Sequence, residues 1–321
     1  MAIRKLLLPL TGTSAGEAAL ATALLVARRW DAHLTALHVR VDARDVAPLA
    51  GEGLSGAMIQ DMMTATERES SDRSNAVRAM FDRFVLEQGV TVAEPHPGAG
   101  ATANFSTYTG REDDVVAQLA RLTDLTVVPH PEAGEDVSSS DALHAVLFES
   151  GRPVLIAPQV ALPTVGTRIC VAWNGTAESA AAVLAAIPWM QRADAVRLLA
   201  ADEYQRRGPG ARELASYLAL HGIHAEIAQF RPLDKEVGRG LLTASAEFGA
   251  DLLAMGAYSH SRLQQLLLGG VTRHVLEHAA LPVLMNRRTS AVSFRLIPSQ
   301  RLGHSIAAEP YDSFAETPPG Y

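Results

Sequence analysis

Two glycine-bearing turns in the C-terminal half hold the residue types best suited to chemistry. One is Asn174-Gly175-Thr176, a polar break after a short apolar run. The other comes in two parts: Gly256-Ala257-Tyr258-Ser259, then nine residues from His260 to Leu268, then Gly269-Gly270-Val271-Thr272 at the head of a helical stretch. Glycine lets a strand end turn sharply, and the first N–H groups of a helix lack intrahelical acceptors. Those donors, with the positive end of the helix dipole, suit an anion such as phosphate. A glycine-rich turn ahead of a helix also occurs without any ligand, so the spacing alone does not decide.

Other chemistry is weaker. His274-Val275-Leu276-Glu277-His278 fits the H-x-x-E-H pattern of a zinc peptidase. Downstream carboxylates for a third ligand, such as Glu309 and Asp312, fall only in a tail-like stretch, so no metal is expected. Cys170 stands inside an apolar run, where a thiol is usually a buried, inert packing residue. No G-x-x-x-x-G-K-[ST] loop supplies a phosphate-binding lysine, and no H-x-G-H element is present. Glu17 and Glu178 are expected to favour helix starts. Arg262, near the glycine loop, is read as a surface arginine. No catalytic residue is assigned, and the chain is not expected to be an enzyme.

The elements that must position these turns are legible through an internal repeat. Leu8-Pro9-Leu10-Thr11-Gly12-Thr13 is echoed by Val171-Ala172-Trp173-Asn174-Gly175-Thr176, each followed by an Ala-rich segment. Asp124-Leu125-Thr126-Val127-Val128-Pro129 is echoed by Asp251-Leu252-Leu253-Ala254-Met255-Gly256, and Arg152–Ala157 by Leu281–Asn286. The pairs keep their order, which indicates a duplication joined near Gln159–Thr167 and domains at 1–160 and 161–288, with a tail at 289–321. The first copy has about 36 additional residues, placed in Asp42–Val90, where Met58–Gln88 reads as one long helix or a broken pair. In the second copy, strands are expected at Arg168–Trp173, Ala195–Ala201, His224–Phe230, Asp251–Ala257 and Pro282–Asn286. Helices fill the intervals at Glu178–Met190, Gly210–His221, Asp234–Phe248 and Val271–His278. Strands alternating with helices indicate a parallel sheet with helices on both faces, and in such a sheet ligands bind beyond the carboxyl ends of the strands.

Composition closes off further classes. The 321 residues carry a formal net charge of −7, and 48% are hydrophobic. The acidic balance offers no basic footprint for nucleic acid or anionic lipid. One cysteine permits no intrachain disulfide, which fits a reducing cytoplasm. The opening MAIRKLLLPLTGTS lacks the pattern of a signal peptide, and no apolar run reaches the length of a membrane span. No nucleic-acid or membrane partner is expected.

These motifs together resemble the tandem universal stress proteins. The resemblance rests on VAWNGTAES and on DLLAMGAYSHSRLQQLLLGGVTRHVLEHAALPVLM, and extends over residues 1–287 apart from the insert. It implies an α/β fold of two tandem five-stranded parallel sheets flanked by helices, each in strand order 3-2-1-4-5. ATP-binding members of that family carry Gly, two residues, Gly, nine residues, Gly, then Ser or Thr. Here Gly256, Ser259, Gly269 and Gly270 occupy those places, with two identities changed. The resemblance implies a phosphate site at Gly256, Ser259, Gly269, Gly270, Val271 and Thr272, with ATP or ADP as ligand and adenine at Ala201. Asn174 stands where such members have an aspartate. The first copy has Thr11 at that place and Pro129-His130-Pro131-Glu132 after its fourth strand, so no nucleotide is expected there. The implied function is a nucleotide-responsive stress protein without efficient catalysis. The alternatives are a ligand-free scaffold and a slow ATP hydrolase. The last strand of each repeat is expected to pair, either in a homodimer or within one chain as a pseudo-dimer.

Overall fold

The computed structural model describes residues 2–42, 56–98, 100–131, 141–201, 208–232, 236–257 and 270–287. Residues 1–289 form one compact unit, while the expected tail, 289–321, lies outside the described residues.

In the first half the order is β1 (Lys5–Pro9), α1 (Ser14–Trp30), β2 (His33–Arg40), α2 (Gly56–Glu87), β3 (Thr91–Val92) and β4 (Thr102–Thr109). There follow α3 (Glu112–Ala120), β5 (Leu125–Val128), α4 (Asp141–Ala145) running into a π-helical turn at Val146–Ser150, and β6 (Val154–Ile156). The second half has β7 (Arg168–Ala172), α5 (Ala177–Met190), β8 (Ala195–Ala201), α6 (Ala211–Ala219) and β9 (Ala225–Phe230). It ends with α7 (Val237–Phe248), β10 (Leu252–Gly256), α8 (Gly270–His278) and β11 (Val283–Asn286). The expected elements of the second copy are therefore present, with ends moved by a residue or a few.

All strand neighbours are parallel except one pair, and the sheet order is β3-β4-β2-β1-β5-β6-β11-β10-β7-β8-β9. Each half thus contains the expected order 3-2-1-4-5, and the two five-stranded sheets join, with one added strand, into a single sheet of eleven strands. The reason lies in β6 and β11. Both would be edge strands with unpaired backbone groups and apolar side chains. Instead they pair antiparallel, Val283 opposite Ile156 and Met285 opposite Val154, and bury those side chains. The pairing closes within the chain. The eleventh strand, β3, is a two-residue addition beyond β4.

One hydrophobic layer on each face of the sheet draws residues from both halves. Where α1 and α5 meet, Trp30 and Trp189 pack edge to face at 5.4 Å. An Arg29 Nη2 donates to the carbonyls of Gly166 and Arg192, each at 2.8 Å. Gly166 has φ +79°, and a Cβ there would stand 2.6 Å from the Trp189 ring, so this position requires glycine.

The repeated aspartates clamp strand starts. Asp124 accepts from the N–H groups of Arg4 and Lys5; Asp251 accepts from Thr167 Oγ1 at 2.6 Å and from the Thr167 and Arg168 N–H groups. Burial pushes the Asp251 carboxyl up, but these bonds and one from Thr164 outweigh it and hold the group below its ordinary value. The insert forms α2, one unbroken helix of 32 residues. Its C-terminal part packs on the sheet through Val77, Met80, Phe81 and Val85, while Met62, Met63 and Phe84 are half-buried.

Candidate functional site

Strand β7 lies between β10 and β8, and its neighbours' chains leave in opposite directions, β7 toward β8 and β10 toward β11. This is the switch point at which a parallel sheet opens a crevice. Extending the β7–β10 register sets Gly256 beside Trp173, one residue short of Asn174. The half-buried Ala201 ends β8 on the same carboxyl edge. The topology therefore brings Asn174, Ala201 and Gly256 together.

The loop after β7 is held from within. Thr176 caps α5 by accepting from the Ser179 N–H. Its own N–H and hydroxyl donate to Asn174 Oδ1, at 3.2 and 2.9 Å. The Asn174 carbonyl is thus committed to the turn, while its amide Nδ2 donates to no described group. Gly175 has φ +77°, and Gly208-Pro209 packs directly against it. The Trp173 indole donates to the Pro209 carbonyl at 2.9 Å and fixes that crossing segment.

Gly256 is explained differently from the expectation of a sharp turn. A Cβ there would lie 2.5–2.8 Å from backbone atoms of Glu178 and Ser179. Glycine is needed because the first turn of α5 rests on the strand end. Gly270 is the opposite case: it begins α8 exposed, and a Cβ would meet nothing within 4 Å. Val271 is half-buried and Thr272 buried. Ser259 and Gly269, with Arg262, lie outside the described residues. Lys and Arg are absent from the described residues of this edge (173–178, 201, 256–257 and 270–272), so an anion would depend on N–H donors.

In the first half the same loop recurs: Thr13 caps α1 by accepting from the Gly16 N–H, and Thr11 and Thr13 hydroxyls meet at 3.1 Å. Past β5, however, come Pro129 and a buried His130, whose Nδ1 bonds the Pro131 carbonyl and whose Nε2 is buried without a partner. Glu17, expected only to favour the start of α1, also pairs with Arg83 of α2 at 2.6 Å.

Comparison with known proteins follows this geometry. The universal stress protein family model matches residues 176–287. Over those residues the chain is similar to that family. A crystal structure of a universal stress protein from Archaeoglobus fulgidus superposes with TM-score 0.65 at 14% identity, covering 88% of this chain and 98% of that one. A functionally unknown protein from Pseudomonas aeruginosa follows at TM-score 0.52 and 16% identity, covering 89% and 93%. At these identities the likeness concerns the fold. A universal stress protein solved in complex with cAMP aligns with 50% of this chain and 99% of its own at 18% identity and TM-score 0.27. Among curated proteins, none matches the chain.

Other groups of the second half fall outside its carboxyl edge. The His274 and His278 rings stack at 4.3 Å, His278 Nδ1 is engaged by the His274 carbonyl, and Glu277 is paired with Arg273. No metal-binding cluster exists among the described residues. Cys170 is fully buried, and burial pushes its thiol up to about 11, which keeps it protonated and unreactive at neutral pH. No described helix is long and apolar enough to cross a membrane. Sequence reasoning missed the segment Gly208-Pro209-Gly210, which crosses the β7 loop; the signal was the paired glycines around a proline, a turn signature.

Proposed function

We infer that the second half is an adenine-nucleotide-binding regulatory module, taking ATP or ADP without efficient catalysis. The observation that carries this reading is the switch point itself. There Asn174, Ala201 and Gly256 share one carboxyl edge, and α8 starts at an exposed, unobstructed Gly270. Phosphates would rest on the free N–H groups of the first turn of α8, with the Asn174 amide offering a neutral contact to the sugar. With no lysine and no assigned base, binding is favoured over turnover. Bound nucleotide would order its surroundings and change the surface shown to a partner in a stress response.

Calorimetry on the full chain tests this. ATP should bind saturably below millimolar concentration. Gly270→Pro keeps a residue tolerated at a helix start but deletes one N–H, and should weaken ATP about tenfold, in line with the loss of one charge-assisted hydrogen bond. Gly270→Ala, which retains the N–H, should bind as wild type. No heat at millimolar ATP with folded protein refutes the reading.

A ligand-free scaffold is favoured by two observations: Asn174 Oδ1 is already engaged, and Gly256 is accounted for by helix packing alone. Mass spectrometry of gently purified protein separates the readings, because a co-purified adenine nucleotide supports only the first.

A further inference from the structure

The first half contains a second candidate site that the repeat does not explain. In the second half the helix after the second strand, α6, has nine residues; its counterpart α2 has 32 and runs past the carboxyl ends of β2 and β4. Between α2 and those strand ends is an open cavity of about 500 Å³, within the range of small-molecule sites.

Its walls are mostly polar, with Val41 the one apolar residue among them. One stripe of α2 faces it: Thr64, Glu67, Arg68 and Ser71, spaced three and four apart on a single helical face. Opposite stand Arg40 and Asp42 after β2, and Thr109 at the end of β4. Arg40 and Arg68 form no ion pair among the described residues, and Arg40 Nε is buried without an acceptor. A charged donor left without a partner costs free energy that an anion would recover. The Arg40 charge is felt nearby. His38 is held below its ordinary value by burial, against the bond to the Leu10 carbonyl, which raises it; Arg73 and Arg40 add smaller lowering contributions.

We propose that this cavity is a ligand site for a small phosphorylated sugar or polyol, its phosphate held between Arg40 and Arg68 and its hydroxyls donating to Glu67. The Thr64 hydroxyl already donates to the Gln60 carbonyl and so presents a lone pair to the cavity; the Ser71 and Thr109 hydroxyls complete the polar lining. The site stands apart from the nucleotide reading, because it belongs to the half whose switch point carries Pro129 and His130.

Calorimetry of the full chain with ribose 5-phosphate, inorganic phosphate and ribose tests the proposal. Ribose 5-phosphate should bind below millimolar concentration, phosphate more weakly, and ribose not at all. Arg68→Gln should weaken both anions about tenfold or more, while Glu67→Gln should weaken ribose 5-phosphate and leave phosphate unchanged. Both residues are exposed, so circular dichroism melts should match wild type. Three results overturn the site. One is no binding of either anion to folded wild type; another is affinity unchanged in R40Q/R68Q. The third is ribose 5-phosphate binding that Gly270→Pro removes, which would place the ligand in the second half. Failure of ATP to bind would leave these outcomes intact, so the two readings fall separately.

Discussion

The loop after the first strand is built alike in both halves, yet its surroundings differ. Thr13 and Thr176 each cap a helix, and Gly16 and Ser179 supply the capped N–H. Around Asn174 the neighbouring strand ends in Gly256, which admits α5 at backbone contact distance. Around Thr11 the neighbouring strand is followed by Pro129 and His130, and the long α2 comes within reach, with Val77 Cγ2 standing 3.3 Å from where a Cβ on Gly12 would be. A duplicated turn therefore does not preserve a duplicated site. What surrounds the turn decides which ligand chemistry it can meet.

The sharpest way to break the comparison is at the fourth strand of the second half. Gly256→Val would force side-chain atoms into the Glu178–Ser179 backbone and should cost about 3 kcal/mol, read as a lowered midpoint in urea. A loss below about 1 kcal/mol would show that α5 can move aside, and the closeness of helix and strand would no longer explain the glycine.

The paired aspartates come next. Asp251 accepts hydroxyl bonds as well as two backbone N–H groups, while Asp124 accepts from two N–H groups alone. Asp251→Asn should therefore cost about 2 kcal/mol and Asp124→Asn about half of that. Because the folded Asp251 carboxyl titrates below its ordinary value, its stabilisation is present above the unfolded value of about 3.9. It is lost as pH falls through the lower folded one. Asp251→Asn should accordingly flatten the acid limb of the stability profile; an unchanged limb would remove this carboxylate from the account. The smallest effect belongs to the Glu17–Arg83 pair, half-exposed on both sides. Its double-mutant coupling should be about 0.5 kcal/mol, and a value several times larger would mean that α2 is fastened to α1 mainly by charge.

Much of this was legible in the chain itself. Asp124 and Asp251, the short buried strand after each, and the Gly-Thr turns announce two copies of one unit, because each copy must repeat the same burial and capping. The long α2 was visible from apolar residues at three and four between Val77 and Val85. The clamp made by Asp251 was not, since Thr167 lies 84 positions away. Nor was the polar face of α2 at Thr64, Glu67, Arg68 and Ser71: on an exposed helix such residues read as solvated surface until a strand end is found opposite.

The amino-acid order alone determined the alternation of strands and helices, their parallel arrangement and the caps of α1 and α5, because these depend on near neighbours and on local burial pattern. Only the tertiary structure decided that β6 joins β11 within one chain, that Gly256 yields to a helix backbone, and that Arg40 faces a cavity beneath α2. Those outcomes depend on which distant surfaces meet, and a linear pattern carries the propensity to be buried without naming the partner.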